Sequence, residues 1–192
     1  FAHFPPRVEA GFRLTRFRRK RKTRKGKTDL RENDGPRFED LRLPDSLRDS
    51  GDASPWVDAK PFPDQVNKFS FISGNRESGA IRVRYYEKKS ARLFAGRAWF
   101  GPETAGPPGH AHGGSQAALL DEGMGAAAWL SGKTVLAAKL EINFRAPLPI
   151  GTVLTMRAEV TKIEGKKVYA AGKLVGDDGT VFSDGTGLFV VI

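Results

Sequence analysis

The stretch "GSQAALLDEGMGAAAWL", residues 114–130, constrains the fold more than any other part of the chain. It has the length and composition of one long helix, ending near "SGK", where Gly132 suits the residue just past a helix end. Its apolar residues do not keep to one stripe. A helix that is apolar nearly all round has to be buried, so the rest of the chain must wrap it.

The face around Asp121 is made of small residues. Three or four positions away lie Ala117, Ala118, Met124 and Gly125, and seven away Gly114 and Ala128, with Met124 the one larger side chain. Small side chains let a second helix, a substrate or a concave sheet come close to the backbone. Asp121 has two readings: a surface acid or helix-stabilising partner, as Glu122 is expected to be, or a partly desolvated base or nucleophile. No Lys or Arg stands three or four residues from Asp121, which favours the second. "HGG", residues 112–114, opens the helix. Glycines there leave the unpaired N–H groups of the helix start open to a carbonyl oxygen that becomes negative. His110 and His112 form H-x-H, but no Cys and no acid cluster accompanies them, so no metal site is expected.

The flanks read as strands. "KFSFISG" (68–74), "AIRVRYYEKK" and "ARLFAGRAWFG" precede the helix. Four more follow it, beginning with "KLEINFRAP", where Leu140, Ile142 and Phe144 alternate with polar residues as in a half-buried strand. In "TVLTMRAEVTKIE", Leu154, Met156, Ala158 and Val160 share one face. "EGKK" and "GDDG" mark the turns between the last three. Strands, one long helix, then a meander of strands give an α+β domain with a mostly antiparallel sheet wrapped around one central helix.

Charge is uneven. Of the chain's 32 Lys/Arg and 22 Asp/Glu, 12 and 2 fall between Arg7 and Arg31, leaving 20 of each elsewhere. Residues 1–31 are expected to be a disordered basic tail, residues 32–67 a Pro/Asp-rich lead-in with one helical turn near Asp45–Arg48, and residues 68–192 the folded domain. Trp56 and Phe62 are expected to pack the lead-in onto that domain. The tail suits a solvated extension, an anionic-surface or nucleic-acid contact, or an organelle leader. Phe12 and Phe17 are too few to give its basic run a stacking platform for bases, so nucleic acid is not the expected partner. There is no Cys, and no apolar run reaches the roughly 18 residues of a membrane span. A cytoplasmic protein is expected, with organelle import through the basic segment as the alternative.

"GPPGHAHGGSQAALLDEGMG", "LEINFRAPLPIG" and the final "LFVVI" resemble the hotdog-fold acyl-CoA thioesterases, in particular their phenylacetate-pathway and THEM-type branch. The similarity runs over residues 68–192. It implies hydrolysis of an acyl-CoA to a free acid and CoA in a homodimer or homotetramer, with no cofactor beyond the CoA of the substrate. Sites would lie at the dimer interface and draw on two subunits. The resemblance makes Asp121 the general base or nucleophile and the Gly113 N–H the oxyanion donor. Gly114 would allow close approach, and His112 would orient the loop or thioester. Asn143, Arg145, Lys166, Lys167 and Tyr169 would contact CoA. One position departs from the pattern: Ala137 stands where such proteins can carry a helper hydroxyl. A hotdog protein that binds acyl-CoA or a partner without turnover is the alternative, and a hotdog dehydratase, lacking a further His, is weaker.

Overall fold

The structure is a computed structural model that describes residues 35–47, 55–88 and 93–192. The basic segment of residues 1–31 lies outside the described residues. Seven strands form one antiparallel sheet: β1 (Val57–Asp58), β2 (Ile81–Lys88), β3 (Leu93–Phe100), β4 (Val135–Phe144), β5 (Val153–Glu164), β6 (Lys167–Val175) and β7 (Val181–Val191). Their order across the sheet is β1-β2-β3-β5-β6-β7-β4. A four-residue helix, α1 (Asp64–Asn67), precedes β2, and the long helix α2 (Gly113–Leu130) joins β3 to β4.

The sheet curls around α2, as the all-round apolar sequence requires. Leu154, Met156 and Ala158 of β5 and Val168, Ala170 and Leu174 of β6 point inward and are buried with Leu119, Leu120 and Met124 of α2. Each of the Leu, Met and Val side chains contributes about 1.5–3 kcal/mol when fully buried. Small residues set the distance between layers. A Cβ on Gly123 would lie 2.6 Å from the Met156 sulfur, and one on Gly172 would lie 3.2 Å from Leu120 and Met124. The helix stops at a Schellman motif: the Gly132 N–H donates to Trp129 O and the Lys133 N–H to Ala128 O, with Gly132 at φ 84°.

The lead-in belongs to the folded body. Residues Asp45–Leu47 form the expected turn, as a 3-10 helix. Leu43, Leu47 and Trp56 pack on Tyr86 and Ala95, on the outer face of β2 and β3. The Trp56 indole donates to Leu47 O at 2.8 Å and the Tyr86 hydroxyl to Leu41 O at 2.5 Å. Phe62 meets Trp129 of α2 edge-on, with ring centres 5.6 Å apart. The same cover buries Arg82, which donates to Pro36 O at 2.8 Å and stacks on Trp99.

Two expectations are corrected. Residues 68–74 are not a strand; the first strand is Val57–Asp58, paired with β2. Side chains hold 68–74 as turns: Asn67 Nδ2 donates to Phe62 O, the Ser73 N–H to Ser70 Oγ and the Gly74 N–H to Ser70 O. Such local bonds compete with strand pairing, and Phe69 and Phe71 stand 80% and 90% exposed. In β4, Leu140, Ile142 and Phe144 alternate as expected, yet the strand is exposed over most of its length. It is an edge strand, paired only with β7, and no other strand among the described residues pairs with its free edge.

Candidate active site

The loop before α2 is pinned on both sides. The His112 N–H donates to Thr104 O at 2.7 Å, the Ala111 N–H to Leu148 O at 2.8 Å and the Ile150 N–H to Gly109 O at 3.0 Å. This fixes where α2 begins. His112 is the N-cap: its Nδ1 accepts from the Gly114 N–H at 2.9 Å, which puts the ring proton on Nε2. A Cβ on Gly114 would sit 2.9 Å from that Nδ1. His110 turns elsewhere, its Nδ1 against Pro108 O at 2.9 Å.

The two glycines therefore differ. The Gly114 N–H is taken by His112, whereas the Gly113 N–H has no partner among the described residues. The Phe144 ring of β4 lies over Gly113, 3.0 Å from where a Cβ would be.

Asp121 sits two turns further along α2 and is half-buried. No hydrogen bond or ion pair among the described residues reaches its carboxylate. Burial pushes its pKa up, and the neighbouring Glu122 charge adds to this. At ~1.5 Å of rise per residue, the eight positions from Gly113 to Asp121 span about 12 Å along the helix. One chain's Asp121 and Gly113 thus do not face a single carbonyl group.

Glu122 is held where the sequence suggested only a helix-stabilising acid. Its carboxylate accepts from the Tyr85 hydroxyl at 2.7 Å and from the Ser70 hydroxyl. Tyr85 is buried, and its pKa is raised well above the ordinary phenol value by that burial and by Glu122. The small-residue face divides in two: Met124 and Ala128 are buried against the sheet, while Gly114 is exposed and Ala117, Ala118 and Asp121 are half-open.

Asn143 and Arg145 meet at Asp184 of β7, which the sequence reading missed. Asn143 Nδ2 donates to Asp184 at 2.9 Å and Arg145 donates through Nε at 2.6 Å and Nη2 at 3.2 Å. These bonds hold the Asp184 carboxyl below its ordinary pKa. Lys166 and Lys167 are exposed at the β5–β6 turn. Tyr169 alternates with the inward Val168 and Ala170, so it lies on the face away from α2. Within one chain these three are not gathered with Asp121. Ala137 is exposed on β4, paired with Phe189, and Ser131 is tied to Ala128 O at 2.7 Å. A cavity of about 910 Å³ lies at the other end of α2, between Phe94, Ala127, Leu130 and Val160, and neither Asp121 nor Gly113 lines it. No described helix is long and apolar enough to cross a membrane.

Residues 108–183, from the loop before α2 to β7, match the thioesterase superfamily model. Over this stretch the chain is similar to the thioesterase superfamily. Bovine (Bos taurus) acyl-coenzyme A thioesterase THEM4 is 35% identical over 105 residues, covering 54% of this chain and 41% of the relative. Mouse (Mus musculus) acyl-coenzyme A thioesterase THEM5 is 32% identical over 151 residues, covering 78% and 56%. The chain thus spans about half the length of these curated relatives. A crystal structure of a thioesterase superfamily protein superposes with a TM-score of 0.56 at 31% identity, over 62% of this chain and 60% of that one. The superfamily's hotdog fold is the curled sheet and central helix described above.

Proposed function

We propose that the chain is an acyl-CoA thioesterase that works as a homodimer or larger homo-oligomer. The observation that carries this is the pair of unsatisfied groups on α2, the Gly113 N–H and the Asp121 carboxylate, about 12 Å apart along the helix. A helix-end N–H suits the oxygen of a thioester carbonyl as it becomes negative. A half-buried carboxylate suits removal of a proton from water, or direct attack. Their separation calls for two subunits, each giving one group to a site.

In the base-catalysed form Asp121 takes a proton from water as its oxygen bonds to the carbonyl carbon. Charge moves onto the carbonyl oxygen, against the Gly113 N–H. The C–S bond then breaks, and the CoA sulfur leaves with that proton, giving the free acid and CoA. No cofactor is needed beyond the CoA that arrives with the substrate. His112 keeps the Gly114 N–H occupied and the helix start in place. Asn143 and Arg145, held by Asp184, are proposed to meet the CoA phosphates. Lys166, Lys167 and Tyr169 bear on CoA only where a second subunit brings them to the site.

The exposed edge supports the oligomer. β4 carries Leu136 and Phe144 at 61% and 55% exposure along an unpaired backbone edge. Long apolar edges of this kind are normally covered by another strand. The binding-only alternative draws on Ala137, which offers no hydroxyl to assist Asp121.

The test is thiol release from short, long and aromatic acyl-CoAs by wild type and Asp121→Ala. Turnover that vanishes in the folded mutant is expected. Wild-type turnover in the mutant would remove Asp121 from the chemistry. CoA binding without turnover on any acyl-CoA would select the alternative.

A further inference from the structure

Three elements converge beside Asp121. Glu122 comes from α2, Tyr85 from β2 and Ser70 from the turn after α1. Tyr85 is nearly fully buried, so its hydroxyl depends on an internal partner, and Glu122 supplies it. Ser70 is itself fixed by the turn: its Oγ accepts from the Ser73 N–H at 3.2 Å and its carbonyl from the Gly74 N–H at 3.0 Å. A Cβ on Gly74 would come within 2.4 Å of that carbonyl, so the turn's shape requires glycine there.

We propose that Glu122 is a positioning residue for Asp121: clamped by Tyr85 and Ser70, it fixes the rotation of α2 and holds a negative charge beside the reacting carboxylate. The proposal rests on the thioesterase reading above. Successive helix residues point about 100° apart. With Glu122 turned toward β2 and the turn, Asp121 is directed away from both and keeps its oxygens free.

Glu122 is also the charge that acts on Asp121. Besides burial, it is what raises the Asp121 pKa. The strands packed on α2 turn mainly apolar residues inward: Phe94 and Ala98 on β3, Met156 on β5, Ala170 on β6 and Phe189 on β7. On β4, Lys139 and Glu141 alternate with the inward Leu140 and Ile142, and pair with each other at 3.6 Å. Arg145 and Asp184 pair with each other. His112 is at the helix start. Glu87 of β2 lies inward toward Ala127 and Leu130, beyond Asp121.

The experiment is a pH profile of kcat/KM for wild type, Glu122→Gln and the double variant Ser70→Ala/Tyr85→Phe, each checked for folding. In Glu122→Gln, kcat is expected to fall about tenfold with little change in KM, as for a disturbed general base. The acidic limb is expected to move to lower pH, because a like charge near Asp121 is gone. The double variant keeps the charge and loses the clamp, so kcat falls while the limb stays. Wild-type kcat with an unmoved limb in Glu122→Gln, or wild-type kcat in the folded double variant, overturns the proposal. An NMR titration of the Asp121 carboxylate separates this failure from failure of the hydrolase reading. If wild type releases no thiol, that reading falls. Asp121 titrating lower in Glu122→Gln would still support the electrostatic part, and an unchanged titration would overturn it.

Discussion

Asp121 is costly to the fold at neutral pH. Its pKa is raised in the folded state, so folding favours the protonated form. That contribution is present below the ordinary carboxylate range and is lost as pH rises through the raised value. Asp121→Asn is therefore expected to melt higher than wild type at pH 7, with the gain gone near about pH 4. Melting curves at the two pH values check this, and a lower Tm at pH 7 would contradict it. Gly113 allows a cleaner test of the oxyanion role than a side-chain deletion. Proline is tolerated at the first helical position and removes the N–H, and His112 already has the extended backbone that precedes proline. Gly113→Pro is expected to keep its helix by circular dichroism and to lose roughly 10²–10³ in kcat. Full activity would show that the N–H is not used. Asp121 stands out in the sequence as a lone acid on a face of small residues. The contacts of Glu122 do not, because its partners lie 37 and 52 residues away.

Among the elements, α2 was the most legible, since composition, length and both ends point the same way. Residues 68–74 were the least. Phe-Ser-Phe has strand periodicity, but period two says nothing of whether a serine bonds its own turn. The outer faces of β2 and β3 were not legible either: Arg82 and Arg97 are both buried, Arg97 against Asp177 and Thr155. The join of β4 to β7 is tight. A Cβ on Gly185 would lie 2.7 Å from Glu141 O and 2.6 Å from Ile142 Cδ1. Gly185→Ala is expected to cost about 1–3 kcal/mol by overpacking, read from chemical denaturation. An unchanged midpoint would mean that β4 shifts freely.

At the scale of the molecule, the proposed shared site depends on β4. Sequence periodicity marked its inward residues, but periodicity within one strand does not say what pairs with its open edge. Leu136→Glu is expected to shift the protein from dimer or tetramer to monomer by light scattering, with activity lost in parallel. A wild-type monomer with full turnover would refute the shared site.

The distance between Gly113 and Asp121 has a genetic corollary. If each site takes one group from either subunit, then Gly113→Pro and Asp121→Ala damage opposite halves. In a mixed dimer both lesions fall in one site, and the other site is whole. Two inactive variants, unfolded and refolded together, should regain up to about a quarter of wild-type activity, since half of randomly assorted dimers are mixed and each has one of two sites intact. Alleles of this gene carrying the two lesions would complement each other, although neither works alone.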